Sequence, residues 1–276
     1  MKRREPQMRQ TAHRDHHGVR AGLIGGISSI LVFVVLGTAI VNAPGWPKVR
    51  RAFFSWDHFR DSFPTIFRAF ALNVRLFLVA EVFVLALALL VAVVRTVPGP
   101  AFLPARIIAT AYTDIFRGVP TILLIYLFGF GVPPALNLER PWNSPVLWGS
   151  VALVLNYAAY VAEVFRAGIR SIHPSQMAAA RSLGLSQWQA LRFVIVPQAV
   201  RRVIPPVLND FVALQKDTAL VAILGPLEAL RQAYIYTAKT FNFTPYLGAA
   251  LLFLALTIPM ARVTDWLITR EESRRR

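Results

Sequence analysis

Long uncharged runs dominate the chain. No Asp, Glu, Lys or Arg occurs from Ala21 to Pro47, from Gly118 to Leu138, from Pro141 to Ala162 or from Phe241 to Ala261. A helix needs about 20 apolar residues to cross the hydrocarbon core of a bilayer. These runs, with neighbouring stretches that carry a few charges, predict six spans at roughly 21–41, 73–94, 107–132, 146–167, 203–224 and 246–268. The expected fold class is an all-α integral membrane protein. The third and fifth stretches contain charged residues, so they are not expected to face lipid all round.

Composition supports a membrane protein over a soluble one. Of 276 residues, 55% are hydrophobic and 16% charged, where a soluble domain has roughly a quarter charged. The net charge of +16 would suit a nucleic-acid binder, but the Lys and Arg residues gather at the ends of the apolar runs, as they do in membrane proteins. No nucleic-acid partner is expected. With the N-terminus inside, eighteen Lys and Arg fall in internal segments and seven in external ones. Both termini are therefore expected in the cytoplasm, with residues 1–20 and 271–276 as basic tails. The Arg residues of the first tail suit anionic membrane lipid. Its His13, His16 and His17 read as part of a solvated tail rather than a metal site. The chain has no cysteine, which excludes disulfides and thiol chemistry.

The run 21–41 exceeds the 7–15 residues of a signal-peptide core, and Pro44 follows the cleavage-like Val41-Asn42-Ala43 directly. It reads as a retained anchor. Segment 42–65 is basic and aromatic, with Trp46, Phe53, Phe54, Trp56 and Phe59, and reads as an external amphipathic segment along the membrane surface.

The internal loop 168–202 carries helix punctuation. Pro174 suits a first helical position and Gly184 suits the position after a helix end, where a positive φ is needed. Ser186 and Gln189 have the spacing of a capping box, and Pro197 should interrupt the helix that follows. Two short helices meeting at a glycine corner are predicted, either as a docking protrusion or as an ordinary interfacial hairpin.

Charged and polar groups inside spans are costly and point to function or to a partner. Glu163 stands three residues before Arg166, and Asp114 three before Arg117. Each pair could neutralise itself on one helix face, or the acid could face a pathway or gate. Asn156, Tyr157 and Tyr160 either bind substrate or hydrogen-bond between helices. Asn209, Gln215, Lys216, Asp217 and Thr218 make the fifth span too polar for lipid, so it should line an interface or a pathway. Glu81 stands alone among Val and Leu. It could pair with Arg75 or Arg117, or read a cationic substrate.

Several of these motifs resemble a known family. Ala180-Arg181-Ser182-Leu183-Gly184 and Val196-Pro197-Gln198-Ala199 resemble the cytoplasmic loop of permease subunits of ATP-binding-cassette importers. Three further stretches resemble the polar amino acid branch, the histidine, glutamine, glutamate and arginine permeases. They are Tyr160 to Ile169, Phe116-Arg117-Gly118-Val119-Pro120 and Lys216-Asp217-Thr218-Ala219-Leu220. The similarity spans about 66–270 and implies a permease domain with a five-helix core, preceded by one extra N-terminal helix.

The resemblance implies a binding-protein-dependent importer of a polar amino acid in the cell (plasma or inner) membrane. The implied partners are two copies of an ABC ATPase, an extracytoplasmic solute-binding protein and a second permease, identical or not. Gln176, Ala178, Ala179, Arg181, Gly184, Ser186 and Gln189 fall in the implied ATPase-coupling segment, 176–190. The family's usual Glu is replaced by Ala178. Asn156, Tyr160, Glu163, Asn209, Lys216, Asp217 and Thr218 are candidates for the pathway or substrate. Asp114, Arg117, Gly118 and Pro120 are candidates for the gate or for packing.

The chain is not expected to be an enzyme. It has no Gly-x-x-x-x-Gly-Lys-Ser/Thr loop and no evident catalytic set, so no catalytic residue, metal or cofactor is expected; ATP and magnesium belong to the partner. A secondary transporter would call for internal repeats, and none is evident. A membrane enzyme would need a catalytic constellation at one face.

Overall fold

The computed structural model of the chain describes residues 25–97 and 99–273. The His cluster, the basic tail 1–20, the first residues of the anchor and Arg274–Arg276 lie outside the described residues. Those described are mostly helical, with no strand among them.

Residues up to Ser55 and residues from Trp56 form separate units. In the first, α1 (Gly25–Val41) is apolar and exposed along its length. Its hydroxyls are satisfied within the helix: Ser29 bonds the Gly25 carbonyl at 2.7 Å and Thr38 the Val34 carbonyl at 2.8 Å. A lipid-facing helix requires this, because hydrocarbon offers no partner. A short basic helix follows, α2 (Trp46–Phe53), with Pro47 in its first turn and Arg50 and Arg51 in its last.

The second unit opens with α3 (Trp56–Thr96), a helix of 41 residues. The segment 42–65 is therefore not one element. It divides at Phe54-Ser55, and its second half is the start of α3. Hydrophobicity marks where a helix enters lipid, not where it begins. Here an aromatic row, Trp56, Phe59 and Phe63, with ring centroids 5.5 and 4.8 Å apart, carries the helix beyond the apolar run.

The next apolar stretch is broken. After α4 (Leu103–Gly118) the chain bends by 106° into α5 (Thr121–Tyr126), a π turn over Leu127–Gly131 and α6 (Val132–Ala135). The single span predicted at 107–132 is thus two helices. Proline forces its predecessor out of the helical region, and Val119, before Pro120, is extended with φ −98° and ψ 131°.

The central element is α7 (Pro145–Arg170). Its Ala152, Ala158 and Ala162 are completely buried. They share one core with the buried stripe Ala80, Val84 and Ala88 of α3. Small residues let two backbones approach closely, and that packing holds helices together where lipid is as apolar as Leu.

Beyond α7 come α8 (Pro174–Ser182) and α9 (Gln187–Ala190). A π turn over Leu191–Ile195 then runs directly into α10 (Val196–Asp217). Pro197 does not interrupt this helix. It falls in the first turn of α10, after the wide turn, where a missing N–H leaves little unpaired. The fifth span changes character at Thr218, where a 3₁₀ segment runs to Leu224 and ends at Gly225 with φ +101°. Helices α11 (Ala229–Thr240) and α12 (Thr244–Ser273) complete the unit. Among the described residues, three helices, or four if the bent pair counts as one span, are long and apolar enough to cross a membrane by length and composition.

Two glycines seat the 3₁₀ segment. A Cβ on Gly149 of α7 would lie 2.7 Å from Val221, and one on Gly129 of the π turn would overlap Leu224. Gly149→Leu is therefore expected to destabilise the protein by about 1–3 kcal/mol through overpacking. Gly37→Ala, whose Cβ would meet nothing within 4 Å, should leave thermal unfolding in detergent unchanged.

Candidate functional site

The break between α4 and α5 leaves polar backbone inside an apolar core. Pro120 has no N–H, so the Phe116 carbonyl four residues earlier loses its helical donor. Asn156 of α7 replaces it: its Nδ2 donates to the Phe116 carbonyl at 2.7 Å, and its Oδ1 accepts from the Thr121 hydroxyl at 3.0 Å. One buried side chain thus closes both sides of the break. Tyr160, one turn on, donates to the Arg117 carbonyl at 3.2 Å, and the Arg117 guanidinium lies over its ring. Asn156 and Tyr160, candidates for substrate, are engaged in holding the bent pair. Asp114 and Arg117 form no ion pair with each other; both are exposed, as is Gly118 at the end of α4.

A second polar group ties the 3₁₀ segment to its neighbours. Thr218, fully buried, donates to the Gln215 carbonyl at 2.8 Å and accepts from Asn73 Nδ2 at 3.3 Å. Asn73 Nδ2 also donates to Glu228 Oε2 at 3.0 Å, while Asn73 Oδ1 accepts from the Ala229 N–H at 3.1 Å. Glu228 caps α11, its two oxygens accepting from the N–H groups of Leu230 at 2.9 Å and Arg231 at 2.5 Å. Burial pushes its carboxyl above the usual carboxylate range, against the opposing pull of those N–H donors and Asn73. Gln215 in turn accepts from the Thr257 hydroxyl of α12 at 2.7 Å. Thr218 is therefore a structural tie.

Its neighbours in sequence diverge. Asp217 accepts from the Tyr157 hydroxyl at 2.8 Å, while Lys216 and Asn209 are exposed on the surface of this chain. Asp210, on the same face as Asp217 two turns earlier, lies within electrostatic reach of Glu81.

At the other end of the bundle Glu163 joins two helices. It takes Arg166 on its own helix and Arg95 of α3, the latter at 2.8 Å. Arg166 is the partner its spacing suggested. Arg95 is 68 residues away in sequence, and only the packing of α3 on α7 brings it close.

The corner between α8 and α9 is fully capped. The Leu185 N–H reaches the Ala180 carbonyl at 3.3 Å and the Gly184 N–H the Arg181 carbonyl at 3.0 Å, with Gly184 at φ +85°. This is the paired bonding that ends a helix at a left-handed residue. Ser186 and Gln189 form the reciprocal capping box, at 3.2 and 2.8 Å. Arg181 reaches across to the Leu185 carbonyl at 2.9 Å. Gln176, Ala178, Ala179, Arg181, Gly184, Ser186 and Gln189 are all exposed there. Beneath them Ile172, Ile195 and Ala199 form a small core of their own. Leu183 at the tip is 84% exposed and Trp188 69%, a large apolar area that the fold itself leaves uncovered.

Asn73, Glu228, Asp210 and Arg95 were missed by reasoning from sequence. Glu228 had a visible signal, since it stands two residues after a proline and just before the α11 pattern, as an N-cap does. Asn73 and Arg95 had none, because each acts through a helix distant in sequence.

Comparison with known proteins places this arrangement in context. Residues 102–273 match the family described as binding-protein-dependent transport system inner membrane component. A probable glutamine ABC transporter permease of Bacillus subtilis strain 168 is 37% identical over 173 residues, 62% of this chain and 78% of that protein. An arginine transport system permease of the same organism is 32% identical over 71% of this chain and 87% of its own length. The crystal structure of an amino acid ABC transporter with histidines superposes with a TM-score of 0.70 at 27% identity, covering 78% of this chain and 98% of that one.

If Asn156 serves the helix break, Asn156→Ala leaves the Phe116 carbonyl and the Thr121 hydroxyl unpaired in the core. It should destabilise the protein by about 1–3 kcal/mol, read as a lower melting temperature in detergent. Unchanged melting with lost substrate binding would instead assign Asn156 to the substrate.

Proposed function

Because the chain belongs to the family of binding-protein-dependent transport system inner membrane components, we propose that it forms the membrane pathway for a polar amino acid in an ATP-driven importer. The relatives named for glutamine and arginine, and the solved amino acid transporter, support that substrate class. ATP and magnesium bind on a separate ATPase, present in two copies. A second permease completes the pathway, and an extracytoplasmic protein delivers the substrate. Both termini lie in the cytoplasm, in keeping with eighteen Lys and Arg in the internal segments against seven in the external ones.

The observation that carries the proposal is the capped corner at Gly184. It projects exposed apolar side chains, Leu183 and Trp188, and its two ends are covalently continuous with α7 and α10. Those are the helices that carry Asn156, Tyr157, Asp210 and Asp217. A corner that is rigid by virtue of its caps transmits displacement where a flexible loop would absorb it. Closure of the ATPase around segment 176–190 would then tilt α7 and α10 together. Ala178, where the family has Glu, removes one charged contact from this docking, and the exposed Leu183 and Trp188 supply apolar area in its place. Glu163, with Arg95 and Arg166, fastens the base of α7 to α3, so that the tilt is passed on to the bundle.

The test is substrate-stimulated ATP hydrolysis in liposomes holding this chain with its ATPase and binding protein, across a panel of amino acids. Gly184→Pro removes an N–H that is bonded and forbids φ +85°. It should bring hydrolysis down to the unstimulated level while the melting temperature of the bundle holds. Stimulation that survives Gly184→Pro would remove the coupling role. Uptake that follows an ion gradient without any ATPase would replace the importer by a secondary transporter.

A further inference from the structure

We infer that the transported amino acid is cationic and that its positive group sits between Glu81 of α3 and Asp210 of α10, an inference resting on the importer reading above.

Glu81 is only 9% exposed, deep among the apolar residues of α3, and it accepts no hydrogen bond from any described residue. The ion pairs among described residues join Glu163 to Arg95 and Arg166, and Asp265 to Arg262. Neither Arg75 nor Arg117, its candidate partners by sequence, neutralises Glu81. The packing of α3 on α10 places another acid in its neighbourhood. Phe77, one turn before Glu81, meets Phe211 edge-on with ring centroids 4.5 Å apart. That contact fixes the crossing of α3 and α10 and brings Asp210, beside Phe211, within electrostatic reach of Glu81. Asp217 continues the acidic face of α10 and is engaged by Tyr157. Lys216, on the same helix, is exposed and acts on Asp217.

Two carboxylates held near each other inside a membrane bundle, Glu81 buried and Asp210 half-buried, repel, and each is costly there without a counter-ion. A buried acid kept for packing alone would be expected to find donors within the bundle, as Glu228 does with Asn73, Leu230 and Arg231. Glu81 finds none, so the missing partner is a positive group that comes and goes. An ammonium or guanidinium satisfies both acids through charge-assisted hydrogen bonds. A neutral carboxamide supplies N–H donors without cancelling the charge, and an anionic side chain would add to the repulsion. The same pair therefore selects a cationic amino acid over glutamine and over glutamate.

The experiment measures binding of L-arginine, L-lysine, L-glutamine and L-glutamate to the full-length chain in lipid nanodiscs. ATP-driven uptake of the same four is measured with the ATPase and binding protein present. Wild type is expected to bind arginine and lysine and to be stabilised by them. Glu81→Gln and Asp210→Asn should each weaken that binding roughly ten- to a hundredfold, the loss expected of a hydrogen bond to a charged group. Without ligand, Glu81→Gln should melt higher than wild type, because the repulsion is gone. A merely structural glutamate would give the opposite shift. Glutamine bound or carried as well as arginine, or arginine binding untouched in Glu81→Gln, overturns the inference while ATP-driven uptake of glutamine leaves the importer intact. Absence of ATP-driven uptake for all four overturns both.

Discussion

A bilayer supplies no hydrogen bonds, so every interruption of a helix within it must be repaired from inside the protein. Pro120 makes such an interruption, and the repair sets much of the architecture. The freed Phe116 carbonyl is met by Asn156, which also takes the Thr121 hydroxyl. That requirement holds α7 at the elbow between α4 and α5, and α7 is the helix around which the core is built. Its alanines then bring α3 close, and its Gly149 admits the 3₁₀ segment that follows α10. The bent pair, the central helix and the 3₁₀ segment are one connected arrangement, each depending on the polar repair at the break.

The same constraint divides the polar residues by what they do. Asn73, Thr218, Gln215 and Glu228 bond to each other and to backbone, and they lock α3, α10, α11 and α12 together. Such satisfied networks make a packing unique. Glu81 and Asp210 belong to no such network. On the proposal above, a positive group of the substrate accounts for their position. Glu163 lies between these cases. It is well paired, but through two helices, and it stands at the base of α7 where the capped corner begins.

That corner converts local chemistry into a mechanical part. Gly184 supplies the left-handed residue, the bonds from Leu185 and Gly184 close the end of α8, and Ser186 with Gln189 opens α9. None of these bonds depends on the rest of the bundle. The protrusion has its own small core in Ile172, Ile195 and Ala199, so it can move as a piece with α7 and α10.

By itself the sequence determined the class of molecule, most of the helical stretches and the chemistry of the corner. Uncharged runs of membrane length, basic residues at their ends, a glycine after a helix and a Ser-x-x-Gln spacing are local signals, and each acts within a few residues of where it is read. It also marked Asn156, Glu163, Asp217 and Thr218 as unusual, because polarity inside an apolar run is visible without a fold. Only the tertiary structure decided what those residues touch. Asn156 meets a carbonyl 40 residues away, Glu163 an arginine 68 away and Asn73 a glutamate 155 away, and no pattern along the chain encodes such separations. The early start of α3 and the uninterrupted passage through Pro197 were likewise decided in three dimensions. Hydropathy records where lipid lies, whereas helix ends and bends are set by which backbone groups can find a partner.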